Sequence, residues 1–168
     1  MEKYNCQKIA EIGVFVGQNF NKLVKHNPEI AVAVDAWFDD KEVPMRNDSM
    51  FSQETLDKMC EDFKKWAADK PFVKIYREFT HDAVKHFPDE YFDFIYIDAD
   101  HTYQGCKQDI IDWFPKVRKG GFCVGDDYLD RRGRVPGYKV EVVRAVNEFF
   151  KDKYQVYQLP RWGWAVIK

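Results

Sequence analysis

Three short apolar runs in this chain each stop on an acidic residue, and that repetition constrains the fold more than any other feature. Ile30 to Val34 stops at Asp35, Tyr91 to Ile97 stops at Asp98, and Gly121-Phe-Cys-Val-Gly125 stops at the pair Asp126-Asp127. Runs so nearly continuous in apolar residues suit strands covered on both faces, as in a parallel sheet. Parallel strands point one way, so their terminal acids would gather at the carboxyl edge, where open α/β sheets bind ligands. An earlier strand over residues 9 to 16, ending in a turn that carries Gly13 and Gly17, would reach the same edge.

The stretches between these runs read as crossover helices. Phe20, Leu23 and Val24 share one helical face before Pro28, and Ser52 can cap a helix whose apolar face is Leu56, Met59, Cys60, Phe63, Trp66 and Ala67. Phe72 to Tyr76 is a further strand, followed by a short helix around Ala83 to Phe87. Cys106, Ile110, Trp113 and Val117 line another helix, which Lys119-Gly120-Gly121 is expected to end. Val142, Val143, Val146, Phe149 and Phe150 line the last helix. Tyr154 to Leu159 and Trp162 to Ile167 then read as a hairpin joined by Pro160-Arg161. Asp39 to Phe51 is polar and irregular. The alternation selects an α/β fold with an antiparallel addition at the end.

With 168 residues, the expectation is one domain over 1–168, with selectivity left to loops or a partner subunit. A net charge of −2 argues against nucleic acid or an anionic membrane as a bulk partner. Cys6, Cys60, Cys106 and Cys123 have no CxxC spacing and read as small buried hydrophobes of a reducing compartment rather than a zinc or redox site. No apolar run has the length of a signal or a membrane span, so the chain is expected in the cytoplasm.

Several polar residues carry candidate chemistry, each with a plainer alternative. Gly13 and Gly17 would let backbone approach a ligand, or simply open a helix. Phe15 fills the place of the second glycine in GxGxxG, which argues for a cofactor without a pyrophosphate. Asp35 can accept two ribose hydroxyls or be solvated at its strand end, and Trp37 can stack on a nucleoside or cover the sheet edge. Asp98, Asp126 and Asp127 could hold one hard divalent cation, or bond a cofactor and helix N-termini without one. His101 suits a general base near neutral pH, or a packing role, and Asp100 an orienting or capping role or a place in the metal site. Arg131, Arg132 and Arg134, in the loop Asp130 to Pro136, could form a fork for a carboxylate or phosphate, or be solvated.

The runs Glu11-Ile-Gly-Val-Phe-Val-Gly-Gln-Asn19, Val34-Asp-Ala-Trp37, Phe92-Asp-Phe-Ile-Tyr-Ile-Asp-Ala-Asp-His-Thr-Tyr103 and Gly120-Gly-Phe-Cys-Val-Gly-Asp-Asp-Tyr128 together resemble the class I S-adenosylmethionine-dependent methyltransferases. Within them the chain is most similar to the small-molecule O-methyltransferases of catechol, caffeoyl-CoA and macrolide-sugar type. The resemblance covers residues 9 to 168. It implies a Rossmann-like sheet of seven strands in the order 3-2-1-4-5-7-6 with strand 7 antiparallel. It also implies a cofactor site of Glu11, Gly13, Phe15, Gly17, Asn19, Asp35, Ala36, Trp37, Thr80 and Asp98. Two positions depart from the family pattern: Asn19 where Ser is common, and Phe79 where many members have an Asp for the adenine amino group. In the metal-dependent branch, Asp98, Asp126 and Asp127 would bind Mg²⁺, and His101 stands where catechol-type enzymes carry a lysine base.

The expected function is methyl transfer from S-adenosylmethionine to a hydroxyl of a small metabolite bearing a carboxylate or phosphate, with His101 and Asp98 as catalytic residues. A noncatalytic S-adenosylmethionine-binding or protein-interaction module is the alternative, and nicotinamide-dependent oxidoreduction a remote third. The lead before the first strand is short, so residues 38 to 70, the arginine loop or a neighbouring chain in a homodimer would cover the pocket.

Overall fold

The computed structural model describes residues 5–38, 51–132 and 139–168, with backbone alone at 131 and 132. Most of the irregular stretch from Asp39 and the distal part of the arginine loop, Arg134 included, lie outside the described residues. The elements are β1 (Lys8–Ile12), α1 (Gln18–Leu23), β2 (Ile30–Val34), α2 (Gln53–Ala67), β3 (Val73–Tyr76), α3 (Thr80–Ala83) and β4 (Phe92–Ile97). They continue with α4 (Tyr103–Trp113), β5 (Val117–Gly125), β6 (Asp130–Arg132), β7 (Lys139–Glu141), α5 (Val142–Phe150), β8 (Tyr157–Gln158) and β9 (Trp164–Ile167).

Seven of the strands form one sheet in the order β3-β2-β1-β4-β5-β9-β8. Counted within that sheet alone, the order is 3-2-1-4-5-7-6. The first five are parallel, and β9 runs antiparallel to both β5 and β8. This is a Rossmann-like α/β fold. One apolar cluster fills the face under α1 and α2, with Phe20, Trp37, Cys60 and Phe63. The other fills the face under α4 and α5, with Ile110, Trp113, Val146, Phe150 and Trp164. Burial on both faces is why β1, β2 and β4 are apolar almost throughout. All four cysteines are free and buried.

Ser52 caps α2 by accepting from the Thr55 N–H, and the expected apolar face of α2 supplies buried Leu56, Cys60, Phe63 and Ala67. Three boundaries differ from expectation. β1 stops at Ile12, because Gly13 turns into the left-handed region (φ 87°) and its N–H donates to Val34 O. The helix lined by Cys106 ends at Trp113, where Pro115 follows in a short 3₁₀ turn. Val117 and Gly120-Gly121 therefore lie inside β5 rather than beyond a helix end. The terminal hairpin has shorter strands and a longer connection, residues 159–163, than the apolar pattern suggested. The start of the arginine loop is strand β6, paired with β7 in a separate two-stranded ribbon.

The amino edge of the sheet is tied by two side chains. Asp93, near the start of β4, accepts from the N–H groups of Gln7 and Lys8 and pairs with Arg118 of β5. Lys168 Nζ donates to the carbonyls of Phe114, Pro115 and Val117. These contacts fix the starts of β1, β4 and β5 and so set the register that carries their other ends to a common edge.

Candidate active site at the carboxyl edge of the sheet

At the carboxyl edge, the Asp98 N–H donates to Ile12 O and the Asp126 N–H to Ile97 O, so the ends of β1, β4 and β5 are stepped together. Gly13 lies against the backbone of Asp98 and Ala99 so closely that a Cβ there would overlap the Asp98 carbonyl. Gly17, also left-handed (φ 76°), has the Phe63 ring where its Cβ would be. The two glycines thus serve the chain's own packing, since the space a Cβ would take is already filled.

Asp35 organises the turn between them. Its Oδ2 accepts from the N–H groups of Val14 and Phe15, and its Oδ1 from the N–H of Trp37. An ionised carboxylate offers about four acceptor positions. With three of them used, Asp35 keeps room for one incoming hydroxyl in this conformation, not the two anticipated from its strand-end position. Trp37 is buried to 1% exposure, packs on Phe63 and donates its ring N–H to Phe15 O. Its indole therefore clamps the turn and does not offer a face for stacking. Ala36 O receives a hydrogen bond from Arg77, which also reaches Trp37 O and Asp57 and so ties this corner to α2.

Beneath the turn, Glu11 is 1% exposed. Asn19 of α1 donates to its Oε1, and Oε2 has no hydrogen-bond partner. Burial pushes Glu11 well above the usual carboxylate range, with the charges of Asp98 and Asp35 adding to the rise against the Asn19 bond. Beside it in register on β4 is Tyr96, whose phenol is raised by burial and by the charges of Asp126, Asp98 and Glu11. Sequence reasoning passed over it, although a tyrosine between Ile95 and Ile97, two places before Asp98, was the available signal.

His101 Nε2 lies 3.0 Å from Asp98 Oδ1 and 3.8 Å from Asp127 Oδ2. Burial would lower the imidazole's pKa, but the hydrogen bond it donates to Asp98 and the charges of Asp98, Asp127 and Asp100 outweigh it and hold the proton more tightly than usual. Burial acts on Asp98 in the opposite sense, raising it, with His101 opposing and Asp126 and Asp127 reinforcing. Nε2 thus lies between two acidic side chains that favour the protonated ring, where the sequence had suggested an imidazole near its ordinary pKa. Asp100 accepts from the N–H of Thr102, the N-cap of α4, and packs where a Gly105 Cβ would stand, so it shapes that helix start.

Asp127 adopts a left-handed conformation (φ 49°), and its N–H donates to Asp126 Oδ1. Among the described residues, no group of three or more His, Cys, Asp or Glu side chains converges to hold a metal ion. Thr80 begins α3 and donates to the buried Asp109 of α4. Phe79 stacks on His81 and meets Phe38 edge to face, making an aromatic group beside the end of β3. The side chains of Arg131 and Arg132 are outside the described residues, as is Arg134.

The edge as a whole offers a buried acid with an unused oxygen, a backbone turn built on two left-handed glycines, and a paired imidazole and carboxylate. A methyltransferase-domain family model matches residues 10–128, a span that begins in β1 and closes just after Asp126-Asp127. "Uncharacterized protein R132" of Acanthamoeba polyphaga mimivirus is 37% identical over 70 residues, covering 39% of this chain and 29% of that protein's length. Among solved structures, a putative caffeoyl-CoA O-methyltransferase from Staphylococcus aureus superposes with a TM-score of 0.70 at 18% identity, over 98% of this chain and 77% of that one. The S-adenosylhomocysteine-bound methyltransferase PaMTH1 of Podospora anserina gives 0.68 at 16% identity, over 99% and 73%. At those identities the two structures share the fold.

Proposed function

The chain belongs to the methyltransferase-domain family, and from that premise we propose that it transfers a methyl group from S-adenosylmethionine to a hydroxyl of a small acceptor. The observation that carries this reading is Glu11, a buried acid with one unpartnered oxygen beneath the glycine turn. Such a group is costly unless a cation or donor meets it. The methionine end of S-adenosylmethionine carries both an ammonium and a sulfonium, so the residues present fit this cofactor.

Glu11 and Asn19 would receive the amino-acid end, with Gly13, Phe15 and Gly17 forming the turn around it. Asp35 would take one ribose hydroxyl, Ala36 and Trp37 would hold that corner, Thr80 would flank the adenine, and Asp98 would close the site from β4. When bound, the cofactor supplies an electrophilic methyl group on sulfur. The protein's own task is the acceptor's proton. His101 in its neutral form would accept it, and Asp98, hydrogen-bonded at Nε2, would stabilise the imidazolium formed. Because Asp98 and Asp127 hold the imidazole's proton tightly, the fraction ready to act as base grows as the pH rises through His101's raised pKa. Oxygen rather than nitrogen as acceptor is favoured because an imidazole–carboxylate pair chiefly serves hydroxyl deprotonation; the O-methyltransferase named among the similar folds is consistent with that choice.

Asp98, Asp126 and Asp127 would be the ligands of Mg²⁺, since all three offer hard oxygens. The described side chains do not converge on one point, and His101 already stands between Asp98 and Asp127. An anionic acceptor rests on Arg131, Arg132 and Arg134; replacing all three should raise the acceptor's KM while leaving cofactor binding alone.

The deciding experiment is isothermal titration of ligand-stripped protein with S-adenosylmethionine, with and without Mg²⁺, followed by an acceptor screen of hydroxylated acids and sugars. Micromolar binding and turnover are expected. Binding without turnover across the screen would favour a noncatalytic module, and methyl transfer unchanged by chelation and readdition of divalent ions would remove the metal.

A further inference from the structure

Position 109 lies on the face of α4 that packs into the core. Its neighbours there, Cys106, Ile110 and Trp113, are at most 3% exposed, and helical spacing calls for another apolar side chain beside them. The chain instead places a carboxylate, Asp109, at 4% exposure. Among the described residues, Glu11 is the one other charged side chain so deeply buried. A carboxylate in such surroundings is costly unless strong donors meet it. One donor is the Thr80 hydroxyl, whose Oγ1 lies 2.6 Å from Asp109 Oδ1. That is the spacing of a hydroxyl donating to an ionised carboxylate.

Thr80 stands near the carboxyl edge of the sheet. It follows β3, whose last residue, Tyr76, accepts at its carbonyl from the Asp35 N–H. The preceding Phe79 meets Phe38, just beyond Trp37. Pairing with Asp109 does not seal Thr80, which remains half-buried while Asp109 is buried. A hydroxyl has one hydrogen to give and two lone pairs with which to receive. With the hydrogen given to Asp109, Thr80 can meet a ligand only as an acceptor. Phe79, directly before it, has no side-chain acceptor to offer.

We propose that Asp109 is a positioning residue for the cofactor's purine: by taking the Thr80 hydrogen it leaves only the hydroxyl's lone pairs for the base, so the site selects a 6-aminopurine over a 6-oxopurine. This rests on the methyl-transfer reading, in which Thr80 flanks the adenine. The amino group of a 6-aminopurine donates. A 6-oxo group only accepts, and it would set its lone pairs against those of Thr80. A site built for one hydrogen-bond pattern rejects the inverse pattern strongly, because its own polar group is left unpaired.

The test is calorimetric binding of S-adenosylhomocysteine and of S-inosylhomocysteine, its 6-oxo analogue, to the full chain, with no acceptor and no turnover involved. Wild type should bind the adenosyl compound at least about tenfold more tightly. In Asp109→Asn the amide can donate to Thr80 Oγ1 and free the hydroxyl's hydrogen, so the preference should shrink to roughly twofold. Thr80→Val should lose the preference in the same way, and Thr80→Ser, which restores the hydroxyl, should keep it. A structural role alone would weaken both ligands by one factor and leave their ratio as in wild type. Equal binding of the two compounds by wild type, or a preference that persists in Thr80→Val, overturns the proposal. So does a preference lost in Thr80→Val but kept in Asp109→Asn, since Thr80 would then act without Asp109. Should Asp109→Asn not fold, the contrast between Thr80→Val and Thr80→Ser decides. Absence of S-adenosylhomocysteine binding by wild type removes the methyl-transfer reading and this proposal with it; normal binding with an unaltered ratio in the variants removes this proposal alone.

Discussion

At the amino edge of the sheet, Asp93 meets two backbone N–H groups and the Arg118 guanidinium, and Lys168 meets three carbonyls. At the carboxyl edge, Glu11 keeps an unpartnered oxygen, Asp98 shares His101 with Asp127, and Phe15, Trp37, Asp127 and Trp162 are all left-handed. The same strands join the two edges, so neither apolar packing nor register accounts for the contrast. What differs is that charge is balanced within the protein at one edge and left in acidic excess at the other. A sheet needs only one well-satisfied end to set its register; the other can then hold groups in states that an incoming molecule completes.

That contrast can be broken at its most active point first. His101→Ala should slow single-turnover methyl transfer by about a hundredfold or more. The wild-type rate should rise with pH through an inflection above the ordinary histidine value, and that limb should vanish in the variant. A rate and profile unchanged by the substitution would exclude His101 as the base.

Asp93→Ala tests the opposite edge. Leaving Arg118 and two N–H groups without their carboxylate should cost about 3 kcal/mol of stability in urea unfolding, with cofactor affinity unchanged. If affinity fell in step with stability, the two edges would not be separable.

Glu11→Gln should do the reverse, weakening S-adenosylmethionine binding by about tenfold in calorimetry. It should leave the ligand-free protein as stable as wild type or slightly more so, since a neutral amide replaces a buried acid that is reluctant to ionise. A loss of stability like that of Asp93→Ala would mean that Glu11 is part of the framework.

The smallest effect is in the pH dependence of stability, where the two edges should pull in opposite directions. Asp93 is held below the usual carboxylate range, Arg118 and the Lys8 and Gln7 amides outweighing its burial. The unfolded chain therefore binds the extra proton, and Asp93's contribution is lost as pH falls through its native pKa. Glu11 and His101 have raised native values, so the folded chain binds the extra proton. For them stability declines as pH rises from the unfolded values through the native ones. Urea midpoints across pH should show both limbs; Asp93→Ala should flatten the acid limb and Glu11→Gln the upper one.

The α/β alternation and the gathering of Asp35, Asp98 and Asp126-Asp127 at one edge were legible because they follow from apolar runs, helical faces and the rule that parallel strands share a direction; the strand order came from the resemblance to the methyltransferases, not from those patterns. Less legible was what each polar group meets. Asp35 uses three of its acceptor positions on backbone N–H groups, two of them 20 and 21 residues away, and Asp93 finds Lys8 across 85 residues. No local pattern encodes pairings of that range. Trp37 illustrates the same limit, since the residue type suits stacking on a ligand and burial on Phe63 equally, and only packing separates the two. Val117 and Gly120-Gly121 were misassigned because a helical spacing ran on into a strand, and Pro115 was the stop signal that should have weighed more. The left-handed Arg161-Trp162 turn could not be anticipated at all, because neither residue favours it.

The contact between Gly13 and the Asp98 backbone has a consequence for how such a chain can change over generations. With no gap between the first turn and the end of β4, any added atom at position 13 displaces the strand end that presents Asp98 and, through it, His101. The two halves of the site are therefore inherited together. New specificity can accumulate in the ribbon of β6 and β7 or in the final hairpin, while position 13 can tolerate almost no drift. A lineage of such proteins would diversify at its rim around an unvarying hinge pin.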